Sequence, residues 1–246
     1  MKKNRVILGI FGGMGPDATA ELYRNIIRIT PAKKDQDHIP MLIYSLPQVP
    51  ERSAAIRTGD RTIIPYLTEG VTRLEKAGAS CIAVPCNTVH FYYDEMQKAV
   101  QVPVINMIRE TAAETRARQP ETSRVGLLAT TGTLESKLYE IELKQLGITT
   151  VVPDDSVEID LVMEAVFLIK SGAATGRSRD LLSRAARHLV DKGAEAIILG
   201  CTEIPLGFDP GWRDVPVIDA GSVLAQKAVA MYANLAGHAW KTGRIS

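Results

Sequence analysis

The sequence has 246 residues, enough for one large α/β domain or two smaller ones. Its 29 Lys and Arg nearly balance its 28 Asp and Glu, and no basic run of the kind that neutralises nucleic-acid phosphates is present. Hydrophobic residues make up 46% of the chain, yet no stretch approaches the roughly 20 apolar residues of a membrane span. The sequence therefore argues against nucleic-acid and membrane partners.

The amino-terminal segment lacks the features of a secretory signal. Its basic start, MKKNR, is followed by a short apolar run at residues 6–11 that leads directly into a glycine-rich turn, without a small-residue cleavage site. The three cysteines, Cys81, Cys86 and Cys201, have no disulfide-framework spacing, and no histidine lies at a zinc-like spacing from any of them. We expect a cytoplasmic protein with free thiols and no bound metal.

Apolar runs rich in β-branched residues alternate with amphipathic stretches along the chain. The predicted strands, in chain order, are residues 6–11, 41–46, 81–84, 104–105, 125–129, 148–152, 196–199 and 217–218. The predicted helices are residues 18–29, 62–77, 134–146, 160–171, 178–192 and 223–236. This alternation is typical of βαβ units and a parallel sheet.

The chain also contains an internal repeat. The segment KAGASCIAVPCNT at residues 76–88 resembles DKGAEAIILGCTE at residues 191–203, which puts Cys86 and Cys201 115 positions apart. Each copy continues to a Val-Pro-Val-Ile tetrapeptide, at residues 102–105 and 215–218, and Tyr23 and Tyr139 form a further equivalent pair 116 positions apart. Ordered landmarks at nearly one offset predict two similar α/β lobes related by a pseudo-twofold axis.

The predicted fold is α/β, with two pseudo-symmetric lobes that each contain a parallel sheet flanked by helices. We expect the first lobe to cover residues 1–115 and the second to cover residues 116–216. The last strand and the final helix are expected to return and complete the first lobe, so that residues 217–246 belong with it. Because ligands bind beyond the carboxyl ends of parallel strands, the active site is expected in the cleft between the lobes.

The repeat places two thiols at equivalent strand ends. Cys86 follows the predicted strand 81–84 and Cys201 follows the predicted strand 196–199, so the thiols are expected on opposite walls of the cleft. This arrangement suits inversion at carbon, in which a thiolate removes a proton from one face and a thiol delivers one to the other. An ordinary thiol has a pKa of about 8.5, so both forms are accessible near neutrality. Cys81 lies inside a strand, and we interpret it as a core residue.

The motifs around these thiols resemble one known family. The turn GGMGPDAT at residues 12–19 and the segments PCNTVH at 85–90 and GCTE at 200–203 are similar to those of the aspartate/glutamate racemase family, and the likeness covers essentially the whole chain. The resemblance implies two α/β lobes around a cleft, two catalytic cysteines, no pyridoxal phosphate or metal, and a homodimer. The glycine turn and the tripeptide Pro50-Glu51-Arg52 look like the aspartate racemase branch.

The resemblance also implies a substrate and the residues that bind it. An acidic amino acid carries two carboxylates, of which Arg52 would hold one and Lys170 the other, and the guanidinium suits bidentate recognition. Glu203 would either adjust the pKa of Cys201 or serve as an acidic residue in the first turn of a helix. Further substrate contacts are expected from the strand-end loops: Met14, Asn87, Thr88, Thr130, Thr131 and Thr202.

Other readings of the sequence compete with this one. Residues 13–18 fit the dinucleotide pattern G-x-G-x-x-A, but the second predicted strand is followed by no acid for the ribose. A cysteine hydrolase would use His90 as its base and leave the second thiol unexplained. A hydantoin racemase or a maleate isomerase would use the same thiols on another substrate. A cytoplasmic dicarboxylate-binding protein with redox-sensing cysteines is the non-catalytic alternative.

Overall fold

The computed structural model describes residues 5–172 and 176–240. The basic residues 1–4 and the last residues of the first predicted lobe, 241–246, lie outside the described part. None of the helices in the described ranges is long and apolar enough to cross a membrane.

The first sheet is parallel and has the strand order β2-β1-β3. Its strands are β1 (Leu8–Gly12), β2 (Met41–Ser45) and β3 (Cys81–Ala83). Both faces of the central strand are covered, because Phe11 packs in one apolar cluster and Leu8 and Ile10 in another on the opposite face. A strand buried on both faces requires a near-continuous apolar run, which is how the sequence predicted it.

The second sheet is also parallel and has the order β5-β4-β6-β7. Its strands are β4 (Arg124–Leu128), β5 (Thr149–Val151), β6 (Ala196–Leu199) and β7 (Val217–Asp219). The order β5-β4-β6 repeats the order β2-β1-β3 of the first sheet. The predicted α/β fold with two parallel sheets is therefore confirmed.

The last strand differs from its sequence prediction. Residues 217–218 were expected to return to the first lobe, but Val217 pairs with Ile197 in the second sheet. The repeat explains this position, because Val104 forms the equivalent parallel bridge to Ile82 in the first lobe. Each Val-Pro-Val-Ile segment thus lies beside the strand that precedes a cysteine of the repeat, β3 before Cys86 and β6 before Cys201. In the first lobe the pairing is a single bridge rather than a strand.

Helices cover the faces of both sheets. In chain order they are α1 (Pro16–Ile29), α2 (Arg52–Thr58), α3 (Ile63–Lys76), α4 (Tyr93–Lys98), α5 (Met107–Arg118), α6 (Thr131–Glu135), α7 (Leu138–Gln145), α8 (Asp155–Val157), α9 (Glu164–Lys170), α10 (Gly176–Asp191), α11 (Ile204–Gly207) and α12 (Ala220–Ala236). The predicted helix 134–146 is broken, since Lys137 adopts a left-handed conformation (φ 54°) between α6 and α7. The predicted helix 160–171 begins as a π-helical segment, Glu158–Met163, and continues as α9.

The final helix joins the two lobes. Leu224 and Ala228 of α12 pack with Leu8 and Ile10 of the first sheet, so this helix does return to the first lobe. Val223, one turn from its start, packs instead in the cluster that covers the second sheet. Burial of one helix against both sheets fixes how the two halves of the chain sit around the cleft.

Candidate active site

A cavity of about 330 Å³ opens at the carboxyl ends of both sheets. Both thiols face it, one from each lobe. Its wall is formed by Met14, Glu51, Arg52, Ser53, Arg57, Cys86, Asn87, Thr88, Thr130, Thr131, Met163, Val166, Phe167, Lys170, Cys201, Thr202 and Glu203. The volume lies at the small end of the range for ligand pockets and suits a molecule of amino-acid size rather than a dinucleotide.

The first thiol stands between the end of β3 and a short 3₁₀ helix, Thr88–Tyr92. Cys86 is only 6% exposed, and its backbone N–H donates to the carbonyl of Val84 at 2.9 Å. Burial raises the pKa of the Cys86 thiol, while the positive charge of Arg52 and the backbone N–H of Val89 act to lower it. The surroundings of this sulfur therefore include two groups that stabilise a thiolate.

The second thiol has a negatively charged neighbour instead. Cys201 follows β6 and precedes α11, and its Sγ donates to Oε2 of Glu203 at 3.0 Å. Burial, followed by the negative charge of Glu203, raises the pKa of Cys201 well above its ordinary value. The positive charge of Lys170 acts to lower the pKa of both Cys86 and Cys201. Burial and Glu203 together favour the thiol form of Cys201.

Glu203 connects this thiol to the glycine turn of the other lobe. Its side chain is buried, and its Oε1 accepts the backbone N–H of Gly15 at 3.1 Å. The turn itself is held by Thr19, whose Oγ1 accepts the N–H of Gly13 and donates to the carbonyl of Gly15. Gly13 has φ +95° and a Cβ there would lie 2.5 Å from the backbone of Leu46. The backbone donor of Gly15 is thus occupied by a carboxylate, which argues against the dinucleotide reading.

Cationic side chains approach the cavity from both lobes. Arg52 begins α2 and its Nη1 lies 3.4 Å from the carbonyls of Val49 and Pro50, long contacts that leave the guanidinium available. Lys170 ends α9. Arg57, one turn further along α2, also lines the cavity and faces Glu135 of the second lobe at 4.0 Å. The sequence analysis missed Arg57.

Glu51, the acid beside Arg52, has a structural role. Glu51 caps α2 by accepting the backbone N–H groups of Ser53 and Ala54. Although burial acts to raise it, the pKa of Glu51 is lowered by these two N–H groups and by the charge of Arg52. Since Glu51 caps its helix and Glu203 bonds to Gly15 and Cys201, neither acid is hydrogen-bonded to Arg52 or Lys170, which are left to face a ligand.

Hydroxyl groups join the two lobes at the floor of the cavity. Thr88 of the first lobe lies 2.8 Å from Thr133 and 3.3 Å from Thr130 of the second, measured between Oγ1 atoms. Thr202 donates to the carbonyl of Pro85 at 3.3 Å in the opposite direction across the cleft. These reciprocal hydrogen bonds fix the two cysteine loops relative to each other.

Thr131 is hydrogen-bonded to a residue of the π-helical segment. Its Oγ1 donates to Oε1 of Glu158 at 2.8 Å, and burial raises the pKa of that carboxyl. Glu158 begins the segment whose continuation, α9, carries Lys170. This hydrogen bond ties the cation-bearing helix to the turn that follows β4.

One face of this same helical run is apolar where it meets the cavity. Met163, Val166 and Phe167 precede Lys170 at helical spacing, so the four side chains share one face. Phe167 is 62% exposed. The i, i+3, i+4, i+7 pattern was present in the sequence, but it was interpreted only as the amphipathic character of a helix. The sequence analysis therefore missed this wall.

His90 is buried and its ring nitrogens are committed to the backbone. Nδ1 lies 2.8 Å from the carbonyl of Cys86, and Nε2 accepts the N–H of Met107 at 3.1 Å. Since Nε2 is an acceptor, the ring proton is on Nδ1 and donates to Cys86. Burial lowers the pKa of His90, which keeps the ring neutral. This arrangement argues against the cysteine hydrolase reading, in which His90 would be a base.

All the site residues predicted from the sequence line this one cavity, and their individual roles stay predictions. Within residues 5–172 and 176–240, no cluster of three or more His, Cys, Asp or Glu side chains has the arrangement of a metal site. The strand-end rule, that ligands bind beyond the carboxyl ends of parallel strands, located the cavity because such strands place the loops that follow them at one edge of the sheet.

Comparisons with known proteins agree with this geometry. Residues 11–228 match the family described as Asp/Glu/Hydantoin racemase. The broad specificity amino-acid racemase RacX of Bacillus subtilis (strain 168) is 30% identical over 232 residues, which cover 92% of this chain and 98% of that protein. The Picrophilus torridus aspartate racemase has a TM-score of 0.80 at 29% identity, covering 96% of each chain. A putative Asp/Glu racemase from Yersinia pestis has a TM-score of 0.77 at 29% identity, covering 92% of this chain and 99% of that one.

Two parallel sheets with a shared cavity at their carboxyl ends, together with these likenesses, define the class of enzyme. The protein is an isomerase that racemises an amino acid. The chain belongs to the Asp/Glu/Hydantoin racemase family, as its motifs predicted.

Proposed function

We propose that this racemase inverts an acidic amino acid, aspartate in preference to glutamate, with Cys86 and Cys201 as opposed acid and base. The observation that carries the proposal is that one thiol from each lobe faces the same small cavity, beside cations that suit carboxylates. A single base would have to move to reach both faces of Cα, whereas two thiols on opposite walls need not move.

The proposed reaction moves one proton at each step. The Cys86 thiolate takes the Cα proton and becomes a thiol, while the electron pair left on carbon spreads into the α-carboxylate. The Cys201 thiol then donates its proton to the opposite face of Cα and becomes a thiolate. The inverted product leaves Cys86 as a thiol and Cys201 as a thiolate, the state that accepts the other enantiomer. Before the next molecule of the first enantiomer reacts, Cys86 loses its proton to solvent and Cys201 takes one from solvent.

The surroundings of the two thiols favour this starting state. Arg52 is the largest charge acting to lower the pKa of Cys86, and Glu203 is the largest charge acting to raise the pKa of Cys201. Burial raises the pKa of both thiols, but Arg52 and the backbone N–H of Val89 oppose this at Cys86, so we assign Cys86 as the base and Cys201 as the acid of the first proton transfer. The carboxylate of Glu203 accepts a hydrogen bond from the Cys201 thiol and so favours its protonated form.

The charges at the cavity support a substrate with two carboxylates. Arg52 and Lys170 hold one carboxylate each, and neutralising the α-carboxylate also stabilises the charge that develops there on deprotonation. Asn87 lies directly after Cys86, and its Nδ2 has no hydrogen-bond partner among the described residues. The proposed base must reach Cα, and the α-carboxylate is bonded to Cα. Because Asn87 is adjacent to that base, we assign its amide to the α-carboxylate. Met14, Thr88, Thr130, Thr131 and Thr202 complete the proposed contacts.

A second candidate is a racemase with broader specificity. The apolar wall of Met163, Val166 and Phe167 favours substrate side chains without a charge. The likeness to a protein named as a broad specificity racemase points the same way. An exposed phenylalanine at the mouth leaves room for side chains longer than that of aspartate.

The test of both candidates is a panel of L-amino acids in deuterated water, without added cofactor, followed by NMR. We expect loss of the Cα proton signal from aspartate, slower exchange for glutamate, and much slower exchange for alanine, leucine and lysine. Fastest exchange of a neutral or basic amino acid contradicts the acidic assignment and supports the second candidate. If the protein binds a dicarboxylate but exchanges the Cα proton of no amino acid, the proposed catalytic activity is wrong.

The remaining parts of the proposal are the setting and the assembly. The mechanism needs two free thiols, and the cysteines are unpaired. We therefore propose a reducing compartment, the cytoplasm. A homodimer and independence of any cofactor complete the proposal.

A further inference from the structure

Tyr139 lies below the cavity, where it contacts both cysteine loops. It is fully buried in α7, and its hydroxyl donates to Oδ1 of Asn87 at 2.6 Å. On the other side, its ring lies against Gly200, where a Cβ would stand 3.3 Å from Cε2 of the tyrosine. One side chain of the second lobe therefore touches the residue after Cys86 and the residue before Cys201, without lining the cavity itself.

The hydrogen bond decides which end of the Asn87 amide faces the substrate. Because the carbonyl oxygen accepts from the phenol, the NH₂ group is the end left without a partner among the described residues. Burial raises the pKa of Tyr139 well above its ordinary value, so near neutral pH the hydroxyl keeps the proton that it donates to Oδ1 of Asn87. The reversed amide would turn its oxygen toward an incoming carboxylate and repel it.

We propose that Tyr139 is a positioning residue, which holds the Asn87 amide with its NH₂ group directed at the α-carboxylate of the substrate. The inference rests on the proposed role of Asn87 and adds the group that makes that role possible. An amide can rotate by half a turn at little cost, so a donor beside the reacting carbon has to be oriented by a fixed partner.

The internal repeat supports this assignment. The repeat partner of Tyr139 is Tyr23, which is 39% exposed on α1 and does not occupy the equivalent buried position. The repeat partner of Asn87 is Thr202, whose hydroxyl rotates to suit its neighbours and needs no orienting group. The repeat tyrosine is therefore buried in the copy opposite the amide and exposed in the copy opposite the threonine.

A double-mutant cycle between Tyr139→Phe and Asn87→Ala tests the proposal, with KM and kcat measured for aspartate in both directions. Phenylalanine keeps the ring and removes only the hydroxyl. Tyr93→Phe is the matched control, because the Tyr93 hydroxyl donates to the backbone carbonyl of Val104 outside the cavity. We expect Tyr139→Phe to raise KM about 3- to 10-fold, the effect of one hydrogen bond, with a melting temperature close to that of Tyr93→Phe.

In the Asn87→Ala background we expect Tyr139→Phe to change KM no further. An undiminished effect in that background, or equal kinetics for Tyr139→Phe and Tyr93→Phe, contradicts a positioning role and leaves Tyr139 as a packing residue. Asn87→Asp gives an independent measurement, since its carboxylate still accepts the tyrosine proton but offers no donor. We expect a wild-type melting temperature and a raised KM, and an unchanged KM overturns the proposal.

Failure of the proposed function gives a different result from failure of this inference. If the wild-type protein exchanges the Cα proton of another amino acid but not that of aspartate, the acidic-substrate proposal is wrong. The cycle is then run with that amino acid, because every amino acid presents the same α-carboxylate to Asn87.

Discussion

The thiols of Cys86 and Cys201 occupy equivalent positions in the repeat, but their electrostatic surroundings differ. Arg52 is the charge that most lowers the pKa of Cys86, and Glu203 is the charge that most raises the pKa of Cys201. In the proposed mechanism this difference assigns the base of the first proton transfer to Cys86. The difference arises from residues outside the repeated strands, since Arg52 begins the helix α2 after β2 and Glu203 lies two positions after Cys201.

The charge of Glu203 leads to a prediction about pH. In Glu203→Gln the negative charge beside Cys201 is lost, so the pKa of that thiol falls from its raised value. Because a thiolate is needed in each direction, the rise of kcat/KM with increasing pH should move to lower pH than in the wild type. A pH profile from 6 to 10, with the exposed Glu140→Gln on α7 as control, measures the shift. A shift to higher pH, or none, contradicts the role of Glu203.

Substitution of Arg52 tests the substrate class. Arg52→Met keeps much of the side-chain length and removes the charge, so KM for aspartate should rise at least about 10-fold and kcat should fall as well. KM for alanine should change less if Arg52 holds the side-chain carboxylate, and equally if it holds the α-carboxylate. Arg24→Met, on an arginine with a side chain 67% exposed, serves as control. An unchanged KM for aspartate would remove Arg52 from the site.

Individual site residues could be predicted from the sequence only where the repeat or the family motifs marked them. Cys86, Cys201 and their polar neighbours follow predicted strands, so the strand-end rule found them. Tyr139 was recognised as a landmark of the repeat, but its burial depends on how α7 packs against the other lobe. Arg57 carries no local signal at all, because the sequence pattern did not predict α2.

At the scale of elements, α2 and α6 meet across the mouth of the cleft. Gly132 of α6 lies so close to Ser53 of α2 that a Cβ would stand 2.4 Å from its Oγ and 2.6 Å from its Cα. Because the second distance involves backbone, a side-chain rotation cannot relieve the contact. Close packing here keeps Arg52 beside Thr131.

Gly132→Ala should therefore force the two helices apart. We expect a loss of about 1–3 kcal/mol in the free energy of unfolding, measured by urea denaturation, and a raised KM. Gly176→Ala is the control, since a Cβ at Gly176 meets nothing within 4 Å. Full stability and wild-type KM in Gly132→Ala would show that this contact is not needed to hold the cleft.

The elements that the sequence predicted best are those with continuous apolar runs. The predicted strand 196–199 coincides with β6, and the other predicted strands that form agree to within a few residues. The predicted helix 134–146 is broken by the left-handed Lys137, which no propensity requires. Tertiary contacts decide that break, since α6 packs through Gly132 against Ser53 and α7 buries Tyr139.

At the scale of the whole molecule, the repeat predicted the two sheets but not the path of the carboxyl terminus. Residues 217–218 were expected in the first lobe, but they pair with β6 in the second sheet. The final helix α12 packs on the first lobe as expected. We also expect sedimentation equilibrium to give twice the chain mass at micromolar concentration, and a single-chain mass contradicts the proposed dimer.

Cofactor independence is a prediction about the whole enzyme. Activity should survive dialysis against a chelator and hydroxylamine in the presence of a reductant, because the proposed cycle needs only the two thiols and proton exchange with solvent. Recovery of a lost activity by pyridoxal phosphate or by a divalent metal, but not by fresh reductant, contradicts it. Oxidation without reductant should inactivate the enzyme reversibly.

The most direct test of the central claim is the racemisation rate of aspartate, followed by circular dichroism, for Cys86→Ser and Cys201→Ser. Serine is a far weaker acid than cysteine, so each variant should lose at least about 100-fold in kcat/KM, equally from the L and the D side, while its fold is retained. Cys81→Ala, which introduces the residue found at the repeat position 196, should keep most of the activity. Near wild-type racemisation by either serine variant would contradict the two-thiol mechanism.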